Sequence, residues 1–197
     1  MARSPLRSAD VLAELHADLD RYQRDVVVGW RARGDEALRS RPGPRKWCAV
    51  DCLEHVRGAN ALYLNHLERA VAQAERRGRR AVESYRPGAV GARMRAGMAP
   101  RETAGDGRPR IALKVRTFKS FDPAAQGPPR DPGEALARFS DQLERWRGLL
   151  ERMERVDLNV RSNTLLGPFL RLKIGDVARY LVAHTDRHLV QADRASC

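Results

Sequence analysis

Apolar residues recur at every third or fourth position along four stretches of the chain, a pattern typical of helices that bury one face. The stretches span about residues 8–33, 48–77, 131–153 and 174–194. The third begins at Asp131-Pro132, where a capping carboxylate followed by proline favours helix initiation. Four amphipathic segments of this length predict an all-α fold, a four-helix bundle.

A long connection joins the second and third predicted helices. Residues 76–130 contain 14 lysines and arginines but only four acidic residues, so they carry most of the net charge of +12. Because glycine and proline are frequent there, we predict a long irregular loop with a short helix near residues 88–98. The apolar alternation at residues 111–121 is compatible with an extended strand but does not predict a sheet. Loops of this length in compact domains usually carry function or pack over one end of the fold.

The overall composition indicates one soluble globular domain spanning residues 1–197. Hydrophobic residues make up 42% of the chain and charged residues 31%, a balance that excludes a disordered chain and a membrane protein. No stretch reaches the roughly 18 apolar residues of a membrane-spanning helix, and the amino terminus lacks a signal-type apolar region. We therefore expect a cytoplasmic protein, and three cysteines without a framework pattern predict no disulfides.

Histidine is the informative residue for function, since only five occur and two of them lie four residues apart in the fourth predicted helix. His184 and His188 would share one helix face, with Cβ atoms about 6 Å apart, close enough to bind one metal ion. They lie in line with Val177 and Leu181, so we expect them to point toward the core, where imidazoles need partners. The alternative is a pair of hydrogen-bonded or half-exposed histidines without a metal.

A third ligand has to come from another helix, and His55 is the best candidate. It shares a strip of the second predicted helix with Ala59, and the small Gly58 leaves room for an ion. The alternative for His55 is an ordinary histidine at the boundary of the core. His66 lies roughly 16 Å further along the same helix at 1.5 Å per residue, too far to share that ion. His66 and His16 are therefore predicted to be structural or surface residues.

Two motifs resemble those of one family. The run from Lys46 to Val56, KWCAVDCLEHV, resembles the tryptophan-to-histidine opening of helix two in the DinB-like (DinB/YfiT) superfamily. The run from His184 to Gln191, HTDRHLVQ, is similar to the late HxxRHxxQ motif of the same superfamily. Residues 117–123 and Leu166-Gly167 are similar to weaker family features, so the resemblance spans about residues 8–195.

The resemblance implies an up-down-down-up or similar bundle in which His55, His184 and His188 hold a divalent ion, usually zinc, nickel or iron. It also implies a homodimer that acts on a small molecule, as a metal-dependent hydrolase or as a transferase that uses a low-molecular-weight thiol such as bacillithiol, mycothiol or glutathione. Two positions depart from the family pattern. Cys48 replaces the usual serine-type cap before helix two, and Lys173 occupies the cap position before helix four.

Asp51 and Tyr180 are further candidates for positioning groups or for proton transfer, because each lies one turn before a candidate ligand. Each also has a structural alternative, since an acid in the first turn of a helix is favoured by the helix dipole and a tyrosine often only packs. Cys48 and Cys52 leave open a mixed thiolate and imidazole site, or an acidic thiol at the start of a helix.

The high positive charge leaves a second function open, the binding of nucleic acid or of another anionic surface through the loop at residues 76–130. That loop has few aromatic residues and no recognisable nucleic-acid motif, so base stacking and groove reading lack a basis. A third interpretation is that the arginines only keep the protein soluble. We therefore expect neither a membrane partner nor a nucleic-acid partner, while the sequence leaves open whether the protein is an enzyme.

Overall fold

The computed structural model describes residues 4–44, 46–101, 109, 111, 122–123, 128–164 and 167–195. Within these ranges the chain is mainly helical, as the sequence predicts. The α-helices are α1 (Ser8–Tyr22), α2 (Asp35–Arg39), α3 (Ala49–Arg76), α4 (Ala89–Met98), α5 (Pro132–Met153) and α6 (Ile174–Ala195). None of these helices is long and apolar enough to cross a lipid bilayer.

Four short strands complete the described structure. Strand β1 (Leu6–Arg7) pairs antiparallel with β2 (Ser84–Tyr85). Strand β3 (Arg161–Thr164) pairs antiparallel with β4 (Gly167–Lys173) and lies between α5 and α6 in the sequence. The β3–β4 hairpin was not predicted, because its strands are short and its polar and apolar residues do not alternate over a long enough run.

Helices α3 and α6 pack against each other and run in opposite directions. His55 contacts His184, whereas Tyr63, which comes later on α3, contacts Tyr180, which comes earlier on α6. Helix α1 runs parallel to α6, because its Tyr22 hydroxyl donates to the carbonyl of Val182 and its continuation reaches the later turns of α6. This parallel pair forms one side of the bundle.

Helices α3 and α5 form the second parallel pair. Arg138 donates to Glu54 near the beginning of both helices, and Arg152 donates to Glu75 near the end of both. The four long helices therefore follow an up-down-down-up order, which is the order that the family resemblance implies. The histidines lie at the end of the bundle where α3 and α5 begin.

The core lies between the four long helices and is built from large apolar side chains. Leu19, Leu64, Leu67, Phe139 and Trp146 are each no more than 1% exposed. Complete burial of such a side chain contributes roughly 1.5–3 kcal/mol relative to leaving it in water, so the core provides most of the driving force for folding.

The first predicted helix departs from regular α geometry after Tyr22. A π-helical segment, Gln23–Val28, follows α1, and a 3₁₀ segment, Gly29–Arg33, follows that. Periodicity alone could not show this change, because the π-helical turn still buries Val26 while leaving Val28 62% exposed.

The long connection contains the short helix that the sequence predicts, because α4 covers Ala89–Met98. The beginning of this helix fits closely against the beginning of α6. The Tyr85 hydroxyl donates to the Asp176 carboxylate at 2.5 Å, and the Gly88 amide donates to the same carboxylate at 3.0 Å. A Cβ atom added at Gly91 would lie 2.5 Å from Asp176, and one added at Gly175 would lie 2.7 Å from the ring of Tyr85. The alternation predicted at residues 111–121 lies almost wholly outside the described residues.

Candidate metal centre

The start of α3 is fixed by a reciprocal cap, and this positions His55 in the second turn. The Cys48 amide donates to the Asp51 carboxylate at 3.1 Å, and the Asp51 amide donates to the Cys48 sulfur at 3.4 Å. Arg41 also donates two hydrogen bonds to the Asp51 carboxylate, at 2.8 and 3.1 Å. Capping of this kind satisfies amide groups that the first helical turn leaves without partners, so the direction of α3 at His55 is well defined.

His55, His184 and His188 come together between α3 and α6. One ring nitrogen from each lies within 4.8 Å of the others. The ring centroids are 5.3 Å apart for His55 and His184, 4.5 Å for His55 and His188, and 4.7 Å for His184 and His188. All three side chains are buried. Three nitrogen donors at these separations can bind a single ion.

Burial keeps two of these imidazoles, those of His184 and His188, in the neutral form that binds metals. It lowers the pKa of His184 to about 3, together with smaller contributions from the neighbouring His55 and the charge of Arg187. Burial likewise holds the pKa of His188 well below its usual value, with added contributions from His184 and His55. The rings of His184 and His188 are therefore neutral at pH 7, and each has one nitrogen with a free lone pair.

The orientation of His188 is set by Gln191, one turn later on α6. Nδ1 of His188 lies 3.2 Å from Oε1 of Gln191. Because an amide oxygen only accepts hydrogen bonds, this contact places the imidazole proton on Nδ1 and leaves Nε2 as the donor atom for a metal. The final glutamine of the HxxRHxxQ motif thus has a physical role that the sequence alone did not assign.

Trp47 forms one wall of the site. Its ring centroid lies 4.8 Å from that of His55 and 5.7 Å from that of His188. Its indole nitrogen donates to the carboxylate of Asp122 at 2.8 Å, which ties one residue of the long connection to the histidines. The sequence contained a signal for Trp47, since it opens the motif that ends at His55, but the pattern did not show that the ring covers two histidines.

The structure places the two proposed catalytic candidates in different surroundings. Tyr180 stacks on His184 with ring centroids 6.1 Å apart, and its hydroxyl is hydrogen-bonded to that of Tyr63. Burial raises the pKa of the Tyr180 hydroxyl, which therefore keeps its proton at neutral pH. Asp51 is 2% exposed and interacts with Cys48 and Arg41 as part of the helix cap. Its carboxylate is not part of the group of potential metal ligands that His55, His184 and His188 form.

Cys48, which caps α3, and Cys52, which lies within it, are both buried and free in the structure. Burial raises the pKa of the Cys48 thiol and raises that of Cys52 more strongly, which is opposite to the acidic thiol that the sequence left open. Neither sulfur joins the histidine group within the part of the chain that the structure describes. The arrangement thus favours an all-imidazole site over a mixed one.

The other two described histidines lie apart from this group, as the sequence predicts. His16 pairs with Glu154 at 3.2 Å, and His66 is half-buried on α3. His16 also lines a surface cleft of about 610 Å³ between α1 and the residues that follow Gly78. That cleft does not include any histidine of the buried group.

The sequence profile of the DinB superfamily matches residues 18–192 of the chain. Because the match covers most of the sequence, the chain belongs to the DinB superfamily. The comparisons found no match among curated proteins and none among solved structures. Membership agrees with the all-α bundle and with the two motifs that meet at the buried histidines.

Proposed function

We propose that His55, His184 and His188 bind one divalent metal ion and that the protein uses this centre to act on a small molecule. The observation that supports the proposal is the convergence of three buried ring nitrogens within 4.8 Å, from two helices that pack against each other. Imidazole ligands suit zinc, nickel and iron, whereas magnesium and calcium prefer oxygen. The donor set therefore fits the metals that are usual in this superfamily.

The composition of the site fits a catalytic rather than a structural ion. Structural zinc sites are usually closed by four protein ligands, while catalytic sites keep a position for water or substrate. Within the described residues the group contains three protein donors and no fourth. A divalent ion bound there supplies Lewis-acid chemistry, which lowers the pKa of a water molecule or of a thiol.

The surrounding side chains provide orientation and exclude water. Gln191 fixes the tautomer of His188, and Trp47 covers His55 and His188 with an apolar ring. Tyr180 keeps its proton and lies against His184, so its hydroxyl is a hydrogen-bond donor for a substrate that carries an oxygen or sulfur acceptor. These residues support either hydrolysis or the transfer of a small thiol.

The binding of metal is tested by elemental analysis of protein purified without a histidine tag. We expect about one ion per chain in the wild type and much less in His184→Ala. His66→Ala is the matched control, because it removes a half-buried histidine on the helix that carries His55, and it should keep its metal. Two results would overturn the proposal. One is wild-type protein that contains no metal after growth and purification in the presence of zinc, nickel and iron. The other is a His184→Ala variant with the same metal content as the wild type.

Hydrolase and thiol transferase can be separated on the cobalt-substituted protein. A small thiol that binds the ion as thiolate should produce a sulfur-to-cobalt charge-transfer band in the near ultraviolet, and the band should be absent in His184→Ala. Its appearance on titration with bacillithiol, mycothiol or glutathione supports the transferase. An unchanged spectrum with all three thiols favours the hydrolase.

A further inference from the structure

Two 18-residue segments that the fold brings close together contain basic residues and no acidic residue. They are residues 84–101 and 158–175. Their seven basic residues are Arg86, Arg93, Arg95, Arg101, Arg161, Arg171 and Lys173. The first segment belongs to the irregular loop at residues 76–130, but the second lies outside that loop.

The fold brings these segments together. Strand β4 and helix α6 pack against α4. The amine of Lys173 donates to the carbonyl of Arg86 at 2.6 Å and to the side chain of Asn159 at 2.9 Å. Asn159 in turn accepts from the amide of Arg86 at 3.1 Å. We call the surface formed by Arg86, Arg93, Arg161, Arg171 and Lys173 the basic face.

Like charges face each other across the β3–β4 hairpin. Arg161 lies directly opposite Lys173 in the strand register, and such pairs of like charge destabilise a sheet. The two arginines are also held in place, because Arg161 donates to the carbonyl of Arg171 at 3.0 Å and Arg171 donates to that of Arg161 at 3.3 Å. The hairpin thus presents cations that are preorganised and that repel one another until an anion binds.

The arginines of the basic face differ from those that join the long helices to one another. On the long helices, arginines form ion pairs with acids; examples are Arg21, Arg57, Arg138, Arg145, Arg147 and Arg152. Arg86, Arg93, Arg161 and Arg171 are exposed, and none of them forms an ion pair with an acid of the described residues. Within the described residues, the arginines of this face are therefore not neutralised by acids, unlike those that join the long helices.

Contrary to the expectation from the sequence, which contains no nucleic-acid motif, we propose that the basic face binds the phosphate backbone of a nucleic-acid duplex. Arginine forks match phosphate geometry, and contacts to phosphates require a surface of positive charge rather than a recognition helix. A membrane surface fits less well, since peripheral helices bury a broad apolar face, and Val90 is the one exposed large apolar residue on α4. The proposal predicts binding without sequence preference, and it does not rest on the metal centre.

The proposal is tested with a fluorescent random-sequence duplex of about 20 base pairs, whose anisotropy is measured from low to high salt. Wild-type protein should bind at low salt, and the logarithm of its binding constant should fall linearly with the logarithm of salt concentration. Replacing Arg86, Arg161 and Arg171 together by glutamine should make the slope shallower by about 2.7, because each lost phosphate contact removes about 0.9.

The control carries the same change of net charge elsewhere on the surface. Arg24→Gln, Arg31→Gln and Arg155→Gln together remove three exposed arginines outside the basic face. The salt slope of this control variant should become shallower by less than one third of the change expected for the first variant, that is, by less than about 0.9. Circular dichroism and melting temperature establish that both triple variants are folded. Should the first triple variant fail to fold, the single variants Arg93→Gln and Arg171→Gln serve instead, each with an expected change in slope of about 0.9.

Three results would overturn the proposal. The first is wild-type protein that does not bind the duplex at low salt. The second is equal weakening of both triple variants, which would show that net charge alone controls the binding. The third is tighter binding to vesicles that contain anionic lipid than to the duplex at the same salt concentration, which would assign the face to a membrane surface.

Discussion

The buried histidines and the basic face use nitrogen-containing side chains in opposite ways. At the histidines, three buried rings meet within 4.8 Å, and burial keeps His184 and His188 neutral. At the basic face, charged groups point outward and are separated from acids. A metal site depends on the positions of a few atoms, whereas an anion-binding surface depends on the density of charge. Single substitutions should therefore disable the first region and only weaken the second.

Removal of metal should have the largest effect on stability. The ligands come from α3 and α6, so an ion that binds the native bundle and not the unfolded chain stabilises the fold by roughly 2.7 kcal/mol at free metal about 100 times its dissociation constant. Chelation should lower the melting temperature of the wild type, and His55→Ala should melt at the chelated temperature without any response to chelator. His66→Ala should respond as the wild type does. A normal response of His55→Ala would exclude His55 as a ligand.

A fall in pH from 7.5 to 5.5 should destabilise the metal-free protein by the next largest amount. The pKa of His184 in the folded state is about 3, below the value of about 6.5 in the unfolded chain, so the unfolded state binds more protons between these values. The stability that this group contributes is fully present above about pH 6.5 and is lost as the pH falls, by about 1.4 kcal/mol per pH unit within the window.

Chemical unfolding of chelated protein at pH 7.5, 6.5 and 5.5 measures this slope. Conversion of His184 to asparagine should reduce the slope without abolishing it, because His188 is buried as well, and His66→Ala should leave it unchanged. A flat profile in the wild type would show that the buried rings are protonated at little cost, and the basis for a neutral donor set would be lost.

Loss of the hydrogen bond that orients His188 should have a smaller effect. Gln191→Leu removes the acceptor at Nδ1 while preserving most of the volume of the side chain, and the loss of such a partner typically weakens metal binding at least tenfold, about 1.4 kcal/mol. Gln191→Glu retains an acceptor and should bind metal at least as well as the wild type. Isothermal titration of the metal-free proteins distinguishes the two. Equal affinities for wild type and Gln191→Leu would remove Gln191 from the site.

The smallest effect is expected at the basic face. Arg161→Gln removes one of two like charges that lie opposite each other, so the free energy of unfolding should change by less than about 0.5 kcal/mol and should rise slightly at low salt. Added salt should erase the gain, because it screens the repulsion between the two cations. Unfolding curves at low and high salt provide the measurement, and a loss above 1 kcal/mol would contradict the view that this arginine is unnecessary for folding.

The sequence predicts the helical bundle well, because each long helix carries its own signals. The apolar period of α6 and the Asp131-Pro132 start of α5 are local features, and both lie where they were predicted. The π-helical segment and the β3–β4 hairpin were not predicted. Both depend on which residues the rest of the fold buries, and a short local sequence pattern does not contain that information.

The sequence predicted which three histidines form the candidate site, but it did not predict the side chains that surround them. Spacing on one helix face selected His184 and His188, and the motif and its small neighbours selected His55. The contacts of Trp47 and Gln191 with these rings required the three-dimensional structure, because they depend on the angle at which α3 and α6 meet. That the histidines bind metal, and that Tyr180 or Asp51 takes part in catalysis, remain predictions.

The close fit between α4 and α6 has a consequence for how this chain can diverge from its relatives. Gly91 and Gly175 leave no room for a Cβ atom, since Asp176 and the ring of Tyr85 occupy that space. Substitution at either glycine is tolerated only after its neighbour on the other segment has become smaller, so these positions should vary in pairs across an alignment of relatives. Gly58 and Gly148 have open space around them and should drift freely toward alanine, the stronger helix former. Among relatives, the residues that hold α4 against α6 should therefore be retained, while the residues on the exposed side of α4 should vary.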